Sequence, residues 1–184
     1  ELGYGYPEKS QTMLNVPNAK RILVSADGEE FDMLKGRLLS YERKLDLKNA
    51  VLTRRLVWES PSGKCLRIEI RRLISFLRRH LMAIEYRVTA ENFSGVLHFS
   101  SAIEANVCNH TRETNPLIDY GPYGKALETE VCAAENRYCT VRQRVKNNRF
   151  ALLCSTATGV VSGKADSVEA KIREDLPSTE IEAS

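Results

Sequence analysis

Between Tyr41 and Asn109 hydrophobic and polar residues alternate in short runs, each closed by turn-forming residues. Val51 to Trp58, Leu66 to Arg72, His80 to Thr89 and Asn92 to Phe99 all show a period of two, which predicts strands whose two faces meet different environments. Leu66, Ile68, Ile70 and Ile74 point one way, and Arg67, Glu69 and Arg71 the other. Met82, Ile84, Tyr86 and Val88 repeat the pattern, as do Leu97, Phe99 and Ile103. In the run from Gly36 to Leu47, Leu38, Ser40, Glu42 and Lys44 are expected on one face, with Leu39, Tyr41, Arg43, Leu45 and Leu47 on the other. Short turns such as Lys48-Asn49-Ala50 and Ser60-Pro61-Ser62-Gly63 join these runs, so neighbours are expected to pair antiparallel as a meander.

Upstream, Glu1 to Pro17 reads as a surface loop. Asp27-Gly28 then marks a hairpin between Arg21–Val24 and Glu30–Met33. Downstream, strands are expected at Glu128–Ala133, Cys139–Val145 and Phe150–Thr156, while Ala165–Ser184 fits a short helix, an edge strand or a trailing linker. Between His110 and Lys125 the periodicity stops, and Pro116, Pro122 and Gly124 accompany Tyr120 and Tyr123. A long irregular connection inside a tight meander points to a functional or a disordered segment. Nearly every element is a strand, so the expected fold is mainly β, an antiparallel β-sandwich forming one domain over residues 1–184.

Composition narrows the class without changing it. With 42% hydrophobic and 28% charged residues the chain can bury a core, which sets it apart from disordered proteins. No apolar run is long enough to span a bilayer, and no basic segment leads into an apolar stretch near Glu1, so neither a membrane partner nor a secretory signal is expected. The chain opens on Glu1 rather than Met, which suits a processed protein or an excised piece of a longer one. A net charge of +3 is too weak to imply a nucleic-acid partner. Five cysteines, an odd number with no Cys-x-x-Cys spacing, fit a reducing, cytoplasmic setting better than a disulfide framework.

Candidate chemistry is sparse. His80, His98 and His110 lack the spacing of a metal site, so no metal is expected. Arg67, Arg71, Arg72, Arg78 and Arg79 cluster in sequence but lack the interleaved aromatics of a nucleic-acid surface, and Arg67 and Arg71 flank Glu69 on a solvent face. The glutamates are scattered, and no nucleophile–base motif or phosphate-cradling glycine loop stands out. Asn92-Phe93-Ser94 and Asn109-His110-Thr111 match glycosylation sequons, read here as chance matches. Trp58, the sole tryptophan, is expected in the core rather than on a sugar platform.

Several segments, in order, resemble the N-terminal domain of glycoside hydrolase family 65. They are Met13-Leu14-Asn15-Val16-Pro17-Asn18, then Leu45-Asp46-Leu47 with Val51-Leu52-Thr53-Arg54, followed by Trp58 and Gly63-Lys64. Ser75 before His80-Leu81, Asn92-Phe93-Ser94-Gly95 and Ile103 to Asn109 continue the resemblance. Ala50 stands where the family usually has Gly, and Glu104-Ala105 replaces the common Asp-Gly. The resemblance implies a large supersandwich of the galactose-mutarotase-like kind, joined in the intact enzyme to an α/α barrel that carries the general-acid Glu and the phosphate site. No such barrel is expected within residues 1–184, so no catalytic residue is carried over. The implied activity of the whole enzyme is phosphorolysis or hydrolysis of an α-linked glucose disaccharide. No cofactor is implied, and inorganic phosphate would be a co-substrate if the enzyme is a phosphorylase. The implied partners are its own barrel, an α-glucoside and a second copy in a homodimer. The loop expected at the substrate rim contains Asn109, His110, Arg112, Asn115, Asp119, Tyr120 and Tyr123. A stand-alone carbohydrate-binding module and a structural β-sandwich are the other classes; exposed aromatics would favour the former.

Overall fold

A computed structural model describes residues 13–109, 125–146 and 149–184, and every element among them is a strand. The strands are β1 (Asn18–Ala26), β2 (Glu29–Glu30), β3 (Arg37–Asp46), β4 (Val51–Glu59), β5 (Cys65–Ile74) and β6 (Met82–Ala90). They continue with β7 (Leu97–Glu104), β8 (Leu127–Glu135), β9 (Tyr138–Val145), β10 (Ala151–Ala157), β11 (Ser167–Arg173) and β12 (Leu176–Ala183). Three sheets result, in the orders β3-β4-β5-β6, β10-β9-β8 and β11-β12-β7-β1-β2. The first two are antiparallel meanders, as the short turns predict. At the β1–β2 hairpin, Asp27 and Gly28 both take positive φ, 48° and 84°, the geometry that matches strand twist in a two-residue turn.

The chain divides into two compact units. One comprises Glu1–Ile22, Ser100–Ser162 and Ser167–Ile181; the other comprises Leu23–Phe99, Gly163–Asp166 and Glu182–Ser184. In the second unit, Leu56, Trp58, Leu66, Ile68 and Ile70 on one face of the β3–β6 sheet are buried with Ala26, and Phe31, Met33, Phe93 and Leu97 pack against them. In the first unit, Ile103 and Ala105 pack with Cys139 and Val141 of β9.

Several sequence expectations need correction. β3 has no buried face: nine of its ten residues are exposed and only Asp46 is partly buried, because β3 is an edge strand. Its register slips between Leu38 and Ser40, so Leu39 is an extra residue and Leu38 and Ser40 lie on opposite faces rather than sharing one. Ile74 is 60% exposed despite its place in the apolar series. β7 does not continue the meander onto β6; it lies between β12 and β1. Finally, Ala165–Ser184 forms two strands: β11 is an edge strand, one of the forms expected, but β12 is interior. Pro177, Ser178, Thr179, Glu180 and Ile181 are all buried, and the Glu180 carboxylate accepts from Ser100 Oγ at 3.0 Å and Ser178 Oγ at 2.6 Å.

The turn between β3 and β4 explains one departure from the family pattern. The Asp46 carboxylate accepts from the Lys48 and Asn49 amides, each at 3.0 Å, and from Asn49 Nδ2 at 2.8 Å. These bonds hold the carboxyl below its ordinary range, that of the Asn49 side chain most strongly. Closing the turn places Ala50 at φ 54°, where a Cβ crowds the following carbonyl. Replacing Ala50 by Gly should therefore stabilise the chain by about 0.5–1 kcal/mol, the relief of that strain less the greater entropy of glycine unfolded. The shift in urea midpoint at constant m-value measures this, and a variant no more stable than the parent counts against the strain.

Candidate functional site

Of the seven residues expected at a substrate rim, Asn109 falls within the described structure. His110, Arg112, Asn115, Asp119, Tyr120 and Tyr123 lie outside the described residues. The described residues that flank this segment are tied to distant parts of the chain. Both sides of the Asn109 amide are engaged: Oδ1 accepts from the Asn15 backbone N–H at 2.7 Å, and Nδ2 donates to the Met13 carbonyl at 3.0 Å. Asn15 answers with Nδ2 donating to the Cys108 carbonyl at 2.9 Å. Two asparagines 94 residues apart thus satisfy each other's neighbouring backbone, acting as a clamp.

Described residues on both sides of that segment meet Asp175, in the turn between β11 and β12. The Ala105 N–H donates to the Asp175 carbonyl at 3.2 Å, and Lys125 Nζ reaches its carboxylate at 3.1 Å. Below Ala105 sits Gln143, fully buried on β9, with Nε2 donating to the Ala105 carbonyl at 2.9 Å and to Thr129 Oγ1 at 3.1 Å. The Ala105 carbonyl also accepts from the Val107 N–H at 2.9 Å, closing a tight turn where the family usually places Asp-Gly. Sequence reasoning missed Asn15, Gln143 and Asp175 as supports. Gln143 had a signal: it continues the inward alternation of Cys139 and Val141.

Cys132, Cys139 and Cys154 share one face of the β8–β10 sheet by register, and all five cysteines are free. Burial pushes the Cys154 thiol up, and burial together with the Asp175 charge does the same for Cys132, so neither is an activated nucleophile. Trp58 is completely buried, with Nε1 donating to the Lys35 carbonyl at 2.6 Å and Phe31 edge-on at 5.3 Å. It is a core residue and offers no sugar platform. The sequon asparagine Asn92 is likewise occupied: it accepts from the Cys65 N–H at 2.7 Å and donates to the Gly63 carbonyl at 2.9 Å. Among the described residues, no three of His, Cys, Asp and Glu converge as metal ligands.

The arginine run does not form one patch. On the outer face of the β3–β6 sheet, Arg67 bonds Glu91 at 2.7 Å and Arg71 bonds Glu85 at 3.3 Å, while Arg55 pairs with Glu69 at 3.3 Å. Arg72 lies on the inner face, one inward position along from the row of Arg43 and Arg54, beside a cleft lined also by Tyr41, Leu52 and Ile70.

Comparison with known proteins fits this architecture to a family. A profile described as the N-terminal domain of glycosyl hydrolase family 65 matches residues 1–184. The α,α-trehalose phosphorylase of Thermoanaerobacter brockii is 37% identical over 175 residues, covering 95% of this chain and 23% of that protein. The kojibiose phosphorylase of Caldanaerobacter subterraneus subsp. tengcongensis is 35% identical over 140 residues, covering 76% of this chain and 18% of that protein. A solved structure from the human microbiome, assigned as a kojibiose phosphorylase, shares the fold with a TM-score of 0.71 at 14% identity, over 92% of this chain and 20% of that one. The chain therefore spans about a fifth of the length of these relatives. With its all-strand sheets and a profile match from end to end, it belongs to glycosyl hydrolase family 65, whose N-terminal domain it represents.

Proposed function

We propose that the chain is the non-catalytic β-sandwich portion of an enzyme that cleaves an α-linked glucose disaccharide, by phosphorolysis with inorganic phosphate as co-substrate. The observation that carries this reading is the 37% identity, over 95% of the chain, to the leading fifth or so of a trehalose phosphorylase. In the whole protein the sandwich supports a catalytic α/α barrel and contributes to a homodimer. The loop that begins at Asn109 and includes His110, Arg112, Asn115, Asp119, Tyr120 and Tyr123 reaches the substrate rim. The Asn15–Asn109 clamp and the paired contacts to Asp175 support such a role, because a loop that positions substrate needs a rigid base. Five free thiols suit a cytoplasmic protein.

The test uses the full-length protein with trehalose, kojibiose and maltose in turn, with and without inorganic phosphate. A phosphate-dependent release of glucose and a sugar phosphate from one of them is the expected result. Cleavage without phosphate would make it a hydrolase, and no cleavage of any of the three would remove the reading.

A further inference from the structure

Beyond Leu56 and Ile68 the inner face of the β3–β6 sheet changes from apolar to basic. Register places Arg43 directly opposite Arg54 across β3 and β4, and Arg72 of β5 opposite Leu52, one inward position further along. Like charges opposed across a sheet repel and destabilise it. On the outer face the same strands avoid this cost: Arg55, Arg67, Arg71 and Arg87 each have a glutamate within 3.5 Å. On the inner face, none of Arg43, Arg54 and Arg72 has an acidic partner among the described residues. Arg54 reaches only the Met33 sulfur, at 3.9 Å, and the Arg72 Nε is buried with no acceptor. Tyr86, opposite Ile70, does not neutralise them, since burial pushes its hydroxyl up to about 12 and keeps it protonated.

The three guanidinium groups border a cleft of about 110 Å³ with Tyr41, Leu52 and Ile70 as its other walls. A water takes roughly 30 Å³ of liquid volume, so the space suits one tetrahedral oxyanion and a water or two. Guanidinium forks match phosphate oxygens in pairs, and a multiply charged anion would remove the repulsion that the sheet otherwise bears. We propose that this cleft is a binding site for a phosphoryl group, either free inorganic phosphate or the phosphate of a phosphorylated hexose whose ring projects past the half-exposed Tyr41. The inference is independent of the disaccharide reading, because it follows from unpaired charge on this chain whatever the whole protein cleaves.

Arginine-selective labelling with phenylglyoxal, read by peptide mass spectrometry on the full-length protein, tests it. Millimolar inorganic phosphate, or a hexose phosphate in a parallel arm, should slow labelling of Arg43, Arg54 and Arg72 relative to chloride at matched ionic strength. Arg55, Arg67 and Arg71 should be unaffected. Protection by both ligands, or by the hexose phosphate alone, supports the site and identifies which source it prefers. Arg54→Gln should raise the phosphate concentration needed to protect Arg43 and Arg72 by about tenfold, the loss of one charge-assisted contact. Arg43→Gln, on the exposed edge strand, makes the same prediction for the other two should Arg54→Gln fail to fold. Equal protection by chloride, no protection by either ligand, or an inner face already closed to the reagent without ligand would each overturn the proposal. So would variants that need no more phosphate than the parent.

Discussion

Replacing Trp58 by Ala should lower the unfolding free energy by about 4 kcal/mol, within the range for deleting a fully buried aromatic. Three losses add. The indole is wholly enclosed among Leu56, Leu66 and Ile68, so its removal leaves a cavity in a close-packed core. Its edge-on contact with Phe31, at 5.3 Å between centroids, disappears. Its N–H no longer satisfies the Lys35 carbonyl, which ties the segment before β3 to the sheet. Trp58→Phe separates these contributions: it keeps most of the ring and should cost about 1–2 kcal/mol. Because Trp58 is the only tryptophan, its fluorescence follows the parent alone, and urea unfolding of all three proteins should be followed by far-UV circular dichroism. A loss below about 1.5 kcal/mol for Trp58→Ala would show that the ring is not the centre of this core.

Gly36→Ala should be nearly as damaging, by a different route. Gly36 has φ 78°, and a Cβ there would run into the Glu59 backbone carbonyl and lie 3.0 Å from Trp58 Nε1. The left-handed backbone alone costs a non-glycine residue about 1–2 kcal/mol, and displacing a β4 carbonyl adds about 1–3 kcal/mol. Gly28 and Gly63 are internal controls: their φ values are 84° and 86°, yet a Cβ at either would meet no atom within 4 Å. Alanine at those sites should cost only the backbone share, about 1–2 kcal/mol. The ranking by urea midpoint should place Gly36→Ala clearly last. If all three variants melt together, the close approach of the segment before β3 to Trp58 is wrong.

The strands of the β3–β6 sheet were legible because each carries its own period of two, and the buried series Leu66, Ile68, Ile70 is that period made visible. Trp58 was legible for the same reason. The failures have one physical origin, which is that alternation says where side chains alternate but not what covers them. β3 alternates yet is exposed along its length as an edge strand, and the extra residue Leu39 reverses its faces without any local sign such as glycine. β12 reads as polar, but its polar residues are buried with partners: Ser100 and Cys139, far away in sequence, bond Glu180 and Thr179, and Ser178 donates to Glu180. The partner of β7 was equally hidden, since pairing with β12 and β1 is decided by segments at both ends of the chain.

The family resemblance was legible as a string of motifs, and the structure brings several of them into contact. Asn15 and Asn109 come from two of those motifs and hold each other. Asn92 secures the loop at Gly63, while Lys64 bonds Asp27 at 3.1 Å. Asp27 in turn accepts from the Val96 N–H at 2.8 Å, beside Gly95, where a Cβ would strike that carboxylate. The motifs mark joints between strands. Of the candidate rim residues, Asn109 lies among the described ones, and there it is such a joint.

The clamp between Asn15 and Asn109 also sets an order of events while the protein is being made. β1 gains its local partner, β2, within a few residues, but β7 is more than seventy residues further along the chain, and the Asn109 side chain later still. At the usual pace of translation, about 5–20 residues per second, the open edge of β1 waits on the order of ten seconds for them. The β3–β6 meander, whose pairings are all between neighbours, can close in that interval. Asn15 and β1 thus leave the ribosome before the β3–β6 meander and yet find their last partners after it.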